Sequence, residues 1–123
     1  MEVAKRLVEL CNQNQWREAT EELYADDAVS VEPVAMGPDG PQTSGKDAIL
    51  KAADSWDAAH EIHSSSASGP WPHGERFIAK FDLDVTAKEG PMAGQRMKMD
   101  EMALYTVKDG KISRVEFFYD MGE

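Results

Sequence analysis

Two glutamates have the surroundings that acid–base chemistry needs. Glu32 closes the segment YADDAVSVEP at 24–33, and Glu101 lies in MDEMALYTVKDGKISRVEFFYD at 99–120. Each sits on a strand-like stretch whose same-face neighbours are mostly apolar. A carboxylate facing an apolar interior is costly unless it is paired, protonated or used. If both face one interior, one stays protonated near neutrality and serves as the acid while the other serves as the base. The competing reading puts Glu32 at a sheet edge and Glu101 in an ion pair with Arg96, Lys98 or Arg114. Asp100 is adjacent to Glu101, so on a strand the two face opposite ways. Lys98 offers Asp100 an outer partner, which favours Glu101 as the inward residue.

Other side chains could line the same interior. Tyr24, Trp56, Tyr105, Phe117 and Tyr119 are candidate substrate contacts, although such aromatics more often fill cores. Val115, Phe117 and Tyr119 share a face, and the hydroxyls of Tyr105 and Tyr119 could orient a carbonyl. His63 is a candidate hydrogen-bonding group. A metal reading of His60-Glu61-Ile62-His63 lacks a third ligand at a diagnostic spacing. The near phosphate-loop GPQTSGK at 40–46 is followed by Asp47 where a magnesium-holding Ser or Thr belongs, and Pro41 removes an amide donor. Neither a metal nor an organic cofactor is expected. The methionines 92, 97, 99 and 102 suggest adaptable packing. Cys11, the only cysteine, lies on an apolar helix face and reads as an inert buried thiol.

The elements that must position these residues follow from periodicity. Val3, Leu7, Leu10 and Cys11 mark an amphipathic first helix; Trp16, Ala19, Thr20 and Leu23 mark a short second one. Asp26-Asp27 reads as a turn and 28–32 as a strand. Residues 36–45 form a loop. Ile49, Leu50, Ala53 and Trp56 are the apolar stripe of a third helix. Residues 62–68 read as a strand, 69–74 as a turn, and Phe77 to Val85 as an alternating strand. A turn near Glu89-Gly90-Pro91 leads to a strand on which Met97, Met99, Glu101, Ala103, Tyr105 and Val107 share a face. Asp109-Gly110 is a hairpin signal before the last strand at 112–119. Helices first and strands last imply α+β, with helices covering one face of an antiparallel sheet, in one domain over 1–123.

Composition narrows the partners. The 123 residues hold 13 Lys plus Arg against 23 Asp plus Glu, a formal charge of −10, which argues against a nucleic acid partner. No stretch reaches the apolar length of a membrane span, and a cytoplasmic protein is the expectation. The other sheet face should carry Ile78, Met102, Leu104, Ile112 and Phe118 among charges, which suggests a homodimer through the sheet.

The order of elements resembles the nuclear transport factor 2-like superfamily, which includes ketosteroid isomerases and SnoaL-like polyketide cyclases. The marks are Leu23-Tyr24-Ala25-Asp26-Asp27-Ala28, Gly45-Lys46-Asp47-Ala48-Ile49, and the run from Tyr105 to Tyr119 with its EFFY ending. The resemblance implies a cone-shaped, curved antiparallel sheet wrapped around the N-terminal helices, a pocket at its open end and a small apolar ligand. It matches Glu32 to the proton-shuttling carboxylate of the isomerases and Glu101 to a protonated carboxylic acid that donates to an oxyanion. Their third donor is a tyrosine on the first helix; near that position this chain has Val8, which cannot donate. Two readings stand: a cofactor-independent isomerase or cyclase moving protons α to a carbonyl, and a dimeric module that holds an apolar ligand without transforming it.

Overall fold

A computed structural model describes residues 2–33, 41–90 and 93–119. In chain order the elements are α1 (Glu2–Asn12), α2 (Trp16–Leu23), β1 (Tyr24–Val31), β2 (Gln42–Ser44), α3 (Lys46–Ala59), β3 (His60–His73), β4 (Arg76–Ala87), β5 (Arg96–Lys108) and β6 (Lys111–Phe118). The strands make one open sheet in the order β2-β1-β6-β5-β4-β3. Neighbours are antiparallel except for β1 and β6, which run parallel. The α+β architecture is the expected one. The pairing of β1 with β6 matters most for function, because it places the end of β1, and hence Glu32, beside the end of β6.

Alternation along β4 decides which face is covered. Phe77, Ala79, Phe81, Leu83 and Val85 are all buried, while Ile78 and the residues between them are not. Directly paired residues share a face, so this inner face continues through Tyr105, Ala103, Glu101, Met99 and Met97 of β5. It runs on to Val115 and Phe117 of β6 and Ser30 of β1. Ala4, Leu7, Leu10 and Cys11 of α1 and Ala19 and Leu23 of α2 form one core with Phe77, Ala79, Phe81, Ala103, Tyr105 and Val115 of this face. Trp16 packs on Phe81 with ring centroids 5.4 Å apart.

The corner between α1 and α2 is tied to the sheet. Asn14 takes a left-handed conformation, which asparagine tolerates. Asn12 hydrogen-bonds to both the amide and the carbonyl of Ala67, acting as one more residue of pairing on edge strand β3. Ser65 donates to Asn14 Oδ1 at 2.8 Å. At Asp109-Gly110 both residues have positive φ, 53° and 78°, the geometry of the tight hairpin turn that this dipeptide favours.

Several expectations need correction. Asp26-Asp27 is not a turn but the irregular stretch of β1, between the paired residues Tyr24 and Val29. A short strand, β2, occupies part of the expected loop at 36–45, whose residues 36–40 lie outside the described residues, as do Pro91 and Met92. The expected turn at 69–74 is mostly strand: Trp71, Pro72 and His73 pair with Ile78, Phe77 and Arg76, and the chain reverses at Gly74-Glu75. The prolines are tolerated because β3 is an edge strand. The α3 stripe is only partly covered. Ile49 packs against the core, Leu50 and Trp56 are half-buried, and Ala53 is exposed.

Ile112 is the clearest correction. Expected on the outer face, it is fully buried. The pairing of β5 with β6 shifts between Thr106 and Val107, so one extra residue of β6 is accommodated. That bulge reverses the parity of the strand, and Ile112 joins Val115 and Phe117 on the inner face.

The outer face carries an apolar band. Trp71, Ile78, Met102 and Phe118 are its exposed large hydrophobic residues, with Leu104 between Ile78 and Glu116. One end of the band is flanked by Arg76 and Arg114, the other by Asp82 and Asp100. Among the described residues no helix is long and apolar enough to cross a membrane.

Candidate functional site

Glu101 occupies an inner-face position of β5, directly opposite Phe81 and two residues from buried Ala103. Its neighbour Asp100 faces the other way, opposite Asp82, and is exposed. Alternation thus forces Glu101 inward once Ala103 and Tyr105 are core residues. The basic residues that could have neutralised it are engaged elsewhere: Arg96 bonds Asp84 and Arg114 bonds Glu116, each on exposed groups. Lys98 pairs in register with Asp84 on the outer face.

Glu32 follows the last residue of β1. Ser30 is buried beside Val115, so Glu32, two residues on, lies on the same inner side. Its amide donates to the carbonyl of Pro41 at 2.8 Å, which anchors the backbone there. Its Oε2 accepts a hydrogen bond from the Tyr119 hydroxyl at 2.7 Å. Tyr119 itself follows Phe117 by two residues just past the end of β6. Continued one step, the pairing of Met102 with Phe118 sets Tyr119 opposite Glu101. Glu32, Tyr119 and Glu101 therefore form a short polar row across three adjacent strands, with Phe117, Phe81 and Ala103 as apolar neighbours.

The electrostatics follow from this placement. Burial, with the Glu32 charge as a second cause, pushes the Glu101 carboxyl up to about 7. Burial also raises Glu32, and the Tyr119 hydrogen bond offsets part of that rise. Burial and the bond to Glu32 hold the Tyr119 phenol well above its ordinary value. The row thus holds two carboxyl groups that burial raises, one of them with a hydrogen-bond donor that favours its charged form. Such a pair can take a proton at one oxygen and give one at another.

The remaining candidates divide. Phe117 is half-buried, opposite Ala103 on the same face. Tyr24 and Tyr105 lie deeper, 6% and 2% exposed. Tyr105 stacks on Phe77 at 4.8 Å and meets the Tyr24 ring edge-on at 6.5 Å. Trp56 stacks on His60 at 4.2 Å where α3 meets β3, and His60 Nδ1 donates to the Trp56 carbonyl. His63 is not brought to the carboxylates. A bulge between Ile62 and Ser64 turns it outward, where it is exposed and hydrogen-bonded to Thr86 at 2.7 Å. Cys11 is buried, its thiol pushed up to about 12, and Val8 packs half-buried against the core. Ser30 was not singled out beforehand; its two-residue spacing from Glu32 was the available signal. A surface depression lined by Ser64, Ser66, Asp82, Asp84, Lys98 and Asp100 does not include the Glu32–Glu101 row.

Comparison with known proteins agrees with this architecture. The model of the SnoaL-like domain family matches residues 1–119. A Mesorhizobium loti protein, provisionally named a SnoaL-like polyketide cyclase and also a carbohydrate phosphatase, is similar at 40% identity. The match covers 96% of this chain and 97% of that one, with a TM-score of 0.88. A Catenulispora acidiphila protein with a ketosteroid isomerase-like fold, in complex with trimethylamine, is 17% identical over 98% of this chain and 86% of its own, TM-score 0.69. TerC, co-crystallised with polyporic acid, is 18% identical over 97% and 89%, TM-score 0.71. These last two share the fold alone. No curated protein matches the chain.

The raised Glu101 carboxyl makes stability depend on pH. Its contribution is fully present below the ordinary carboxyl value of 4.5 and is lost as pH rises through about 7. Folding stability from urea unfolding should therefore fall between these values by up to about 3 kcal/mol. Glu101→Gln should flatten that decline, leaving the variant more stable than the parent at pH 8.

Proposed function

Since this chain belongs to the SnoaL-like domain family, we propose that it takes a small apolar carbonyl compound and moves a proton α to the carbonyl. The observation that carries the reading is the unequal carboxyl pair on the inner face of the sheet. Glu32 is the base: its free oxygen accepts the α-proton, the electron pair of the broken C–H bond forms the enolate C=C bond, and the carbonyl π pair moves onto the oxygen. Glu101, still protonated, donates a hydrogen bond or its proton to that oxygen. Returning the proton at the same carbon gives exchange, and at a conjugated carbon it gives isomerisation. Attack of the enolate carbon on a second carbonyl gives cyclisation. These steps draw on carboxyl groups only. Both glutamates are half-buried, so a ligand can reach them from the solvent side while Phe117 and Phe81 supply apolar contact. The trimethylamine and polyporic acid held by two proteins of this fold support a small-molecule occupant.

We also propose that two copies pair through the outer face. The apolar band would be covered by the same band of a second copy. A two-fold axis running across the strands would set Arg76 and Arg114 of one copy over Asp82 and Asp100 of the other. An axis along the strands would oppose like charges.

Exchange of the α-protons of 2-tetralone in D2O, followed by proton NMR, tests the chemistry without knowledge of the natural substrate. The protein should accelerate exchange, and Glu32→Gln should lower the rate by about 10²- to 10⁴-fold. Glu101→Gln should also slow it. Exchange unaffected by both substitutions would remove the enzymatic reading. Tight ligand uptake with no exchange would favour the binding module. For the pairing, sedimentation equilibrium should give twice the chain mass, and the Ile78→Lys/Phe118→Lys variant should sediment as a folded monomer. A monomeric parent protein would contradict it.

A further inference from the structure

A tyrosine hydroxyl has a single proton to donate. The Tyr119 proton goes to Glu32 Oε2 at 2.7 Å, so it is not free for a ligand's carbonyl oxygen. Tyr24 and Tyr105 are buried in the core, 6% and 2% exposed. The helix position that could supply another donor holds Val8. Among the described residues of the row, the proton on Glu101 is then the donor open to a ligand, and Tyr119 serves a different purpose.

We propose that Tyr119 is a positioning residue: by giving its only proton to Oε2 it fixes the rotamer of Glu32 and makes Glu32, rather than Glu101, the base of the pair. The inference rests on the reading of the two glutamates as a working pair. A carboxylate that accepts a phenolic proton is stabilised in its charged form; a carboxyl group in the same apolar surroundings without such a donor is not. Among the described residues, the groups that face the row are Glu101 from β5, Tyr119 from the end of β6 and Glu32 from the end of β1. Tyr24, Tyr105 and, on α1, Cys11 lie deeper. All of these are acids, so apart from proximity to solvent the hydrogen bond is the feature that separates one carboxyl from the other. The bond also leaves the second oxygen of Glu32 free to accept an α-proton, and anchoring of the Glu32 amide on Pro41 limits how far that oxygen can move.

Carbon-detected NMR of protein labelled at the glutamate side-chain carboxyls reads the order of ionisation directly. Glu32→Gln and Glu101→Gln serve to assign the two signals. In the parent protein Glu32 should ionise first and Glu101 last. In Tyr119→Phe, which keeps the ring and its packing, the Glu32 midpoint should move to higher pH and merge with that of Glu101. A role in packing alone would leave the midpoints in place. An unchanged Glu32 midpoint in folded Tyr119→Phe, or Glu101 ionising before Glu32 in the parent, would overturn the proposal. The titration needs no substrate. A failed exchange assay with the titration as described would sink the catalytic reading and leave the assignment of Tyr119 intact. The reverse pair of results would do the opposite.

Discussion

A carboxyl group on the covered face of a sheet cannot keep its full hydration, and the rest of the interior must answer that fact. Glu101 has Phe81 opposite it and Ala103 on its own strand, and the nearby arginines bond other acids on the outer face. It responds by holding its proton to about pH 7. Burial raises Glu32 too, but Tyr119 gives it a hydrogen bond that favours the charged form. One sheet face thus holds two chemically identical side chains in two different hydrogen-bonding environments.

The fold makes this possible through its strand order. Glu32 and Tyr119 are 87 residues apart in sequence, and only the parallel pairing of β1 with β6 sets the ends of their strands side by side. Glu101 enters from the antiparallel neighbour on the other side of β6. The helices complete the arrangement by covering the deeper part of the face: α1 and α2 bury Tyr24, Tyr105 and Phe77 in the core, while the carboxyl row stays partly open. The bulges have a similar part. They hold β6 so that Ile112, Val115 and Phe117 all turn inward, and they turn His63 outward.

Much of this was legible in the residues. Strict alternation along β4 and β5 was enough to choose Glu101 over Asp100, because five apolar side chains at two-residue spacing leave one solution for the inner face. The paired helices and the Asp109-Gly110 hairpin were readable for the same reason: each signal is local. What failed was parity across irregularities. Ile112 and His63 lie next to bulges, and one extra residue changes the face of everything beyond it without any change in residue type. The start of β1 and the length of β3 were missed for the related reason that Asp26-Asp27 and Gly69-Pro70 have turn composition yet occur within strands. The bond between Tyr119 and Glu32 could not be read at all, since it depends on long-range parallel pairing. Sequence placed Tyr119 near a ligand; geometry shows its proton committed to a carboxylate.

The central claim is that a neutral carboxylic acid persists beside an ionised one on the inner face near neutral pH. Infrared difference spectroscopy detects the carbonyl stretch of a protonated carboxyl separately from that of a carboxylate. The parent protein titrated from pH 5 to 9 should show one protonated carboxyl band that fades around pH 7 and is missing in Glu101→Gln. If no such band survives above pH 5, or if it persists unchanged in Glu101→Gln, the unequal pair does not exist as described.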